Sequence, residues 1–252
     1  MKSLISWTVL LGFAGKQTPV SSAPVIPRQD WYALSRSEKN RFLDAIETAL
    51  DRGLYQRFLS YHVDRISARQ AHQTCAFATW HQVYLRGFER MLQSLDAHLF
   101  IPYWNIMDEY QDLHDGHCDS YLTCSAVLWD IGGPPAGYTS RRMGNVTATG
   151  TLYAQRPMHK YRDQDGQMGI VRGEFLDWDQ HPPSAQWERV LDQIVSTPDF
   201  SRYTRLLQTT LHDNVHDTVG GFMPTNASPS DVVFLLWHST MDMLLYVHRQ
   251  CH

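Results

Sequence analysis

The stretch LHDNVHDTVGG at residues 211–221 constrains this chain more than any other. His212 and His216 are four apart, so on a helix they lie one above the other and both imidazoles can reach one point. Gly220 and Gly221 follow and can supply a left-handed stop that ends the segment. A metal site is the sharper reading; the plainer one is a histidine pair on a solvated or hydrogen-bonded helix face. The pair alone does not decide between them.

Other histidines are placed in the same manner. His238 lies in VVFLLWHSTMDMLLYV, an apolar run that reads as a buried helix, where a lone histidine would be a core residue with a hydrogen-bond partner. Joined to His212 and His216, it completes a set of three. In the N-terminal half His62 ends YQRFLSYH, His72 follows a polar connector, and His81 comes directly after Trp80 at the start of a long amphipathic segment. That is a second set of three.

A zinc hydrolase built on HExxH needs a glutamate after the first histidine, and Asp213, one methylene shorter, stands in that slot. One metal would also leave the second set unexplained. Ligation by imidazole alone suits copper, and two ions, each held by three histidines, leave open faces between them where dioxygen can bind.

The framework reads as mainly helical. SEKNRFLDAIETAL carries Phe42, Leu43, Ile46 and Leu50 at the spacing of one buried face. In TWHQVYLRGFERMLQSL, Val83, Phe88, Met91, Leu92 and Leu95 are expected inward, with Arg86, Glu89 and Arg90 outward. After IPYWN at 101–105, residues 108–183 are rich in Gly, Pro, Asp and Gln, which predicts loops and short strands. Helical signals return at SAQWERVLDQIVS, after Thr197-Pro198, and in the last apolar run. The expected fold is mainly α: a bundle with long loops and a few short strands.

With 252 residues and no low-complexity linker, one core is expected. A net charge of -4 leaves no basic stripe for nucleic acid, and no apolar run is long enough for a mature membrane anchor, so the partner is a small molecule. MKSLISWTVLLGFAG has the layout of a secretory signal peptide, expected over residues 1–23 with 24–252 as the secreted domain. Asn145-Val146-Thr147 and Asn226-Ala227-Ser228 are candidate glycosylation sites. In an oxidising compartment Cys118 and Cys124 are close enough to close a short ring; Cys75 and Cys251 are left over, and pairing, two free thiols, and a buried Cys75 thiol near the site all stay open, with core packing or pairing favoured for Cys75.

Both histidine regions resemble those of the type 3 dicopper proteins: tyrosinases, catechol oxidases and molluscan-type hemocyanins. AHQTCAFATWHQVYLRGFE resembles the copper A pattern of that family, HDNVHDTVGGFM and SPSDVVFLLWHSTMD the two parts of copper B, and RQDWYALSRSEKNRFLDAI and IPYWN its flanking elements. The likeness covers about residues 28–110 and 198–250. It implies a four-helix bundle holding two copper ions, one on His62, His72 and His81 and one on His212, His216 and His238. It also implies an oxidase that uses dioxygen as co-substrate to convert o-diphenols, with monophenols and o-aminophenols as further candidates, to o-quinones. The alternative within the family is a hemocyanin-like dioxygen-binding protein or a weakly active relative. The residues after His238 run only to His252, so no domain covering the copper face is expected.

Departures from the pattern mark this chain. Trp237 stands where the family has a histidine before the ligand, Gln82 replaces the arginine of WHR, and Asp242-Met243 replaces DR, so the salt bridge through that second arginine is expected to be missing. Asp242, one turn after His238, is then a candidate to orient a ligand imidazole or to make a surface contact. No cysteine between His62 and His72 is available for the thioether found in many relatives. Asp213 and Asp217, directly after two ligands, are candidates to act as base or to orient substrate, against a reading in which they only face solvent. By family position Thr225 and Asn226 lie near the entrance, where a glycan on Asn226 would restrict bulky substrates.

Overall fold

Ser35 starts the first long helix, α1 (Arg36–Asp51), through a reciprocal cap: its hydroxyl accepts from the Glu38 N–H, while the Glu38 carboxylate accepts from the Ser35 N–H. The buried face of α1 carries Phe42, Leu43, Ile46 and Leu50, as the spacing predicts. A computed structural model describes residues 27–173, Phe175 and 184–252; the signal peptide expected over 1–23 lies outside these residues. Gly53, with φ 68°, turns the chain into α2 (Leu54–Val63). The polar connector expected before His72 is itself a short helix, α3 (Arg65–Ala71), started by Asp64, whose carboxylate accepts from the N–H groups of Ile66 and Ser67.

The long helix α4 (Phe77–Gln93) turns Phe88 and Leu92 inward and packs Met91 and the following Leu95 against the core, as expected, but departs from the expectation at Val83 and Glu89. Val83 is 72% exposed and Glu89 is drawn in against Arg28, while His81, Tyr84, Leu85, Phe88 and Leu92 are buried. His81 sets the rotation of the helix: with that imidazole turned to the interior, Val83, two residues on, points to solvent.

The region expected to be loops and short strands also contains helices. α5 (Ile106–His114), α6 (Tyr121–Cys124) and α7 (Ala126–Asp130) precede the sheet, and α5 forms because Ile106, Tyr110 and Leu113 recur at helical spacing. The strands β1 (Tyr138–Met143), β2 (Val146–Tyr153) and β3 (Ile170–Arg172) make an antiparallel sheet in the order β1-β2-β3. Cys118 and Cys124 are joined by a disulfide. The expectation that Cys75 packs in the core or pairs is corrected: it sits in the turn between α3 and α4, and both it and Cys251 are exposed and unpaired.

In the C-terminal half α8 (Ser184–Val195) is followed by α9 (Phe200–Leu206), a π-helical turn at Leu207–His212, and α10 (Asp213–Val219) without interruption, and the described chain closes on α11 (Val233–Cys251). α2, α4, the continuous α9–α10 helix and α11 enclose the main core as a four-helix bundle. No described helix is long and apolar enough to cross a membrane.

Two features fix the C-terminal helices to the sheet. Gly220 and Gly221 both have positive φ, and a Cβ at Gly221 would collide with the Val171 carbonyl of β3, so the sheet meets the chain directly after α10. Arg172 of β3 is fully buried and forms a two-pronged pair with Asp231 at 2.7 and 3.0 Å, just before α11. Its remaining donors reach the carbonyls of Leu128 and Ile131 at 2.9 and 2.7 Å.

Candidate metal centre

Six histidines from five helical elements meet in the bundle. His62 lies in the last turn of α2, His72 caps α3, His81 is in the second turn of α4, and His238 is in the second turn of α11. His212 ends the π-helical turn and His216 follows one turn later on α10. Such wide turns are rare and recur at functional sites, and here one ends on the first histidine of the pair. His62, His72 and His81 form one group and His212, His216 and His238 another, the donor nitrogens of each lying within 4.8 Å of one another. The groups face each other, with His81 and His238 stacked at 4.4 Å between ring centres. Phe77 and Phe234 wall both groups: Phe77 lies 4.8 Å from His81 and 4.7 Å from His212, and Phe234 5.2 Å from His62 and 4.1 Å from His238.

Backbone carbonyls fix which nitrogen of most rings carries the proton. The Nδ1–H groups of His62, His72, His81 and His216 donate to the carbonyls of Asn226, Ala68, Phe77 and Met223, at 2.7, 3.0, 2.9 and 2.5 Å. The Nδ1–H of His212 donates to the Asp213 carboxylate at 2.8 Å. A carbonyl has no proton to give, so each neutral ring keeps its lone pair on Nε2. The Nε2 atoms of His62 and His81 are nevertheless 3.4 Å apart, and those of His212 and His216 lie 3.1 and 3.3 Å from Nε2 of His238. Between His62 and His81 two lone pairs face each other, and a cation between them converts repulsion into ligation. No acceptor among the described residues holds a proton on Nδ1 of His238, and an ion bound between its Nε2 and those of His212 and His216 would select the same tautomer there. The donor set and its tautomers therefore fit a pair of imidazole-bound copper ions.

Burial keeps these rings neutral, the form that ligates. It lowers His62 from its ordinary 6.5 to about 3, holds His81, His212, His216 and His238 well below the ordinary value, and lowers His72 as well. Such a group takes up its proton on unfolding, so its contribution is complete above pH 6.5 and drains away as pH falls towards the folded value. The buried carboxyl of Glu109, pushed up to about 7, acts in the opposite sense between 4.5 and 7. Six depressed histidines outweigh one raised glutamate. The metal-free protein is thus expected to lose stability between pH 6.5 and 5, by ~2 kcal/mol from His62 alone. Urea unfolding at pH 7 and pH 5 measures this, and equal midpoints would show that the rings take up protons within the fold.

A cleft of about 280 Å³ opens onto the histidines. His72, His212 and His216 reach its floor beside Gln208, while exposed Gln73, Asp217, Pro224 and Asn226 form its mouth. Asp213 and Thr225 lie between floor and mouth. Burial raises the Asp213 carboxyl, and burial followed by the charge of Asp213 raises that of Asp217. The Thr225 hydroxyl is turned into its own loop, donating to the Phe222 carbonyl and accepting from the Ala227 N–H.

Other residues singled out in the sequence lie elsewhere. Trp237 is fully buried and meets Trp104 edge-on at 6.2 Å. Asp242 bonds no histidine: it accepts from Arg28 at 2.5 Å and from Gln82 at 2.6 Å, and Arg28 also reaches Glu89 at 3.1 Å. The missing salt bridge is thereby replaced from the N-terminal segment, and Gln82 ties the residue after His81 to α11. Asn145 is exposed at the tip of the β1–β2 hairpin. Sequence reasoning missed Arg172, Arg28 and Gln208. Of these only Gln208, one helical turn before His212, carried a local signal; it accepts from the Gln73 N–H at 2.9 Å, beside His72.

A helical bundle clasping two facing groups of three neutral imidazoles defines a type 3 dicopper protein. Residues 52–250 match the model of the common central domain of tyrosinase, and the chain belongs to this family. It is 30% identical over 229 residues to a tyrosinase of Streptomyces glaucescens, covering 86% of this chain and 80% of that one. It is 24% identical over 249 residues to grixazone synthase of Streptomyces griseus, with 85% and 81% covered. A polyphenol oxidase variant from Thermothelomyces thermophila shares the fold with a TM-score of 0.59 at 16% identity, covering 90% of this chain and 71% of that one.

Proposed function

We propose that the protein oxidises o-diphenols to o-quinones with dioxygen, holding one copper on His62, His72 and His81 and a second on His212, His216 and His238. The observation that carries this reading is the cleft, which gives a small ring a path from solvent to both histidine groups. Its volume, just below the range of drug-sized pockets, suits a single-ring substrate. Two diphenols each give up two electrons and two protons, and one dioxygen takes up all four of each to form two waters. Bound copper supplies the redox chemistry, relaying electrons from the diphenol to dioxygen.

The residues of the chain prepare the site. The four carbonyls and Asp213 hold five rings with Nε2 inward, so the ligands are oriented before metal arrives. Phe77 and Phe234 fill the space around them and exclude water. Asp213 acts on His212 and is a positioning residue, whereas Asp217 at the mouth faces the substrate at the end away from the histidines. Asp217 is badly placed to deprotonate a phenol at the floor, which favours o-diphenols and o-aminophenols over monophenols. Secretion of residues 24–252 belongs to the same reading and is supported by the Cys118–Cys124 disulfide.

The copper-loaded protein should contain two coppers per chain by elemental analysis and convert 4-tert-butylcatechol to its quinone, taking up one dioxygen for every two catechols. Reversible dioxygen uptake without quinone would replace the oxidase by a carrier. Failure to hold a second copper would remove both.

A further inference from the structure

The mouth of the cleft is acidic and, the proposed coppers being at its floor, no cationic side chain lines it. Of its lining residues none is a lysine or an arginine, while Asp213 and Asp217 both face it. They are four apart on α10 and so share one helix face, a like-charged arrangement that costs stability unless something between them compensates. Asp213 has one oxygen engaged by His212, and its side chain remains 43% exposed. Asp217 has no ion-pair partner among the described residues, and the charged neighbour that acts on it is Asp213. The polar groups around them, Gln73, Thr225 and Asn226, are uncharged.

The direction of the cleft decides what these carboxylates meet. Oxidation requires the two hydroxyls of the ring to point at the floor, where the histidines are, so a substituent on the far side of the ring points to the mouth. We propose that this cleft selects phenolic substrates carrying a cationic amine tail, with Asp217 as the main contact for the ammonium and Asp213 adding to the field. An alkylamine stays protonated at neutral pH, as a lysine does. A carboxylate tail in the same place meets two like charges with no cationic side chain beside them, the coppers lying at the opposite end of the ring. The inference rests on the reading of the cleft as the substrate site and adds a substrate class to it.

Attraction of one tail and repulsion of the other combine in a comparison of cation with anion. At ionic strength near 0.01 M the ratio of kcat/KM for dopamine to that for 3,4-dihydroxyphenylacetate is expected to be on the order of tenfold, carried mostly by KM. The ratio should shrink towards unity in 0.5 M salt, because both carboxylates reach solvent. Asp217→Asn should lower it to about threefold or less, and Asp217→Glu should largely keep it. A second readout involves no oxidation: nuclear magnetic resonance titration of the copper-loaded protein with phenethylamine and with phenylacetate, neither of which has a hydroxyl to react. Phenethylamine should bind several-fold more tightly, and Asp217→Asn should remove most of the difference.

The outcomes separate the two readings. A ratio near one at low salt overturns the selectivity, and one unaltered by Asp217→Asn overturns its assignment to Asp217, each while leaving an oxidase that still acts on 4-tert-butylcatechol. Loss of all catechol oxidation together with preferential phenethylamine binding keeps the cationic site and overturns the oxidase. Equal binding of both ring analogues overturns the selectivity whatever the activity.

Discussion

His216→Ala is expected to leave one copper per chain and to lower diphenol oxidation by at least about a thousandfold, because a two-electron relay between paired metals fails when either is lost. The site gives little room for compensation. His216 is buried, its Nδ1 is committed to the Met223 carbonyl and its Nε2 lies 3.3 Å from that of His238, so its loss leaves that group with two of its three imidazoles. The first group, on α2, α3 and α4, shares no ligand with the second, and one equivalent of copper should remain there. Elemental analysis gives the stoichiometry and thermal melting shows whether the variant is folded. Two coppers with undiminished activity would contradict the assignment.

Arg172→Met is expected to destabilise the fold by ~3–5 kcal/mol, a large part of the stability of an ordinary domain. The substitution leaves Asp231 as a charge with 1% exposure and strips donors from the buried carbonyls of Leu128 and Ile131. Asp231 stands just before α11 and accepts from the Val233 N–H at 3.1 Å, so the damage falls where the helix bearing His238 begins. Replacing both partners, as Arg172→Met with Asp231→Asn, should recover much of the loss, since no uncompensated charge is then buried. Urea unfolding of the single and double variants measures the effect. A loss under ~1 kcal/mol in the single variant would mean that the pair contributes little beyond its packing.

The two histidine groups were legible in the sequence because their information is local. His212 and His216 sit one turn apart, His81 follows Trp80, and each stretch carries enough of the family pattern to be read alone. What orients those ligands was not legible: the acceptors are main-chain carbonyls of Ala68, Phe77, Met223 and Asn226, and every residue has a carbonyl. Long-range partners were hidden for another reason. Arg28 and Asp242 are 214 positions apart, and nothing near either residue names the other. Arg172 lies in a stretch that resembled loop, yet it carries the most buried ion pair described. On α4 the inward placing of Phe88, Met91, Leu92 and Leu95 was legible, and Val83 was misplaced because its hydrophobicity was given precedence over His81, whose inward position fixes the rotation of the helix.

The reliance on main-chain acceptors has a consequence for how this centre tolerates change. Side chains at Ala68, Phe77, Met223 and Asn226 can be exchanged without removing the oxygen that holds each ring, so drift in sequence at those positions need not disturb the choice of tautomer. Loss of a single residue between Met223 and Asn226 is another matter. It would shift two carbonyls serving opposite groups, His216 in one and His62 in the other, at the same time. The loop is therefore permissive in composition and strict in length, and through it the two halves of the centre share one mechanical reference.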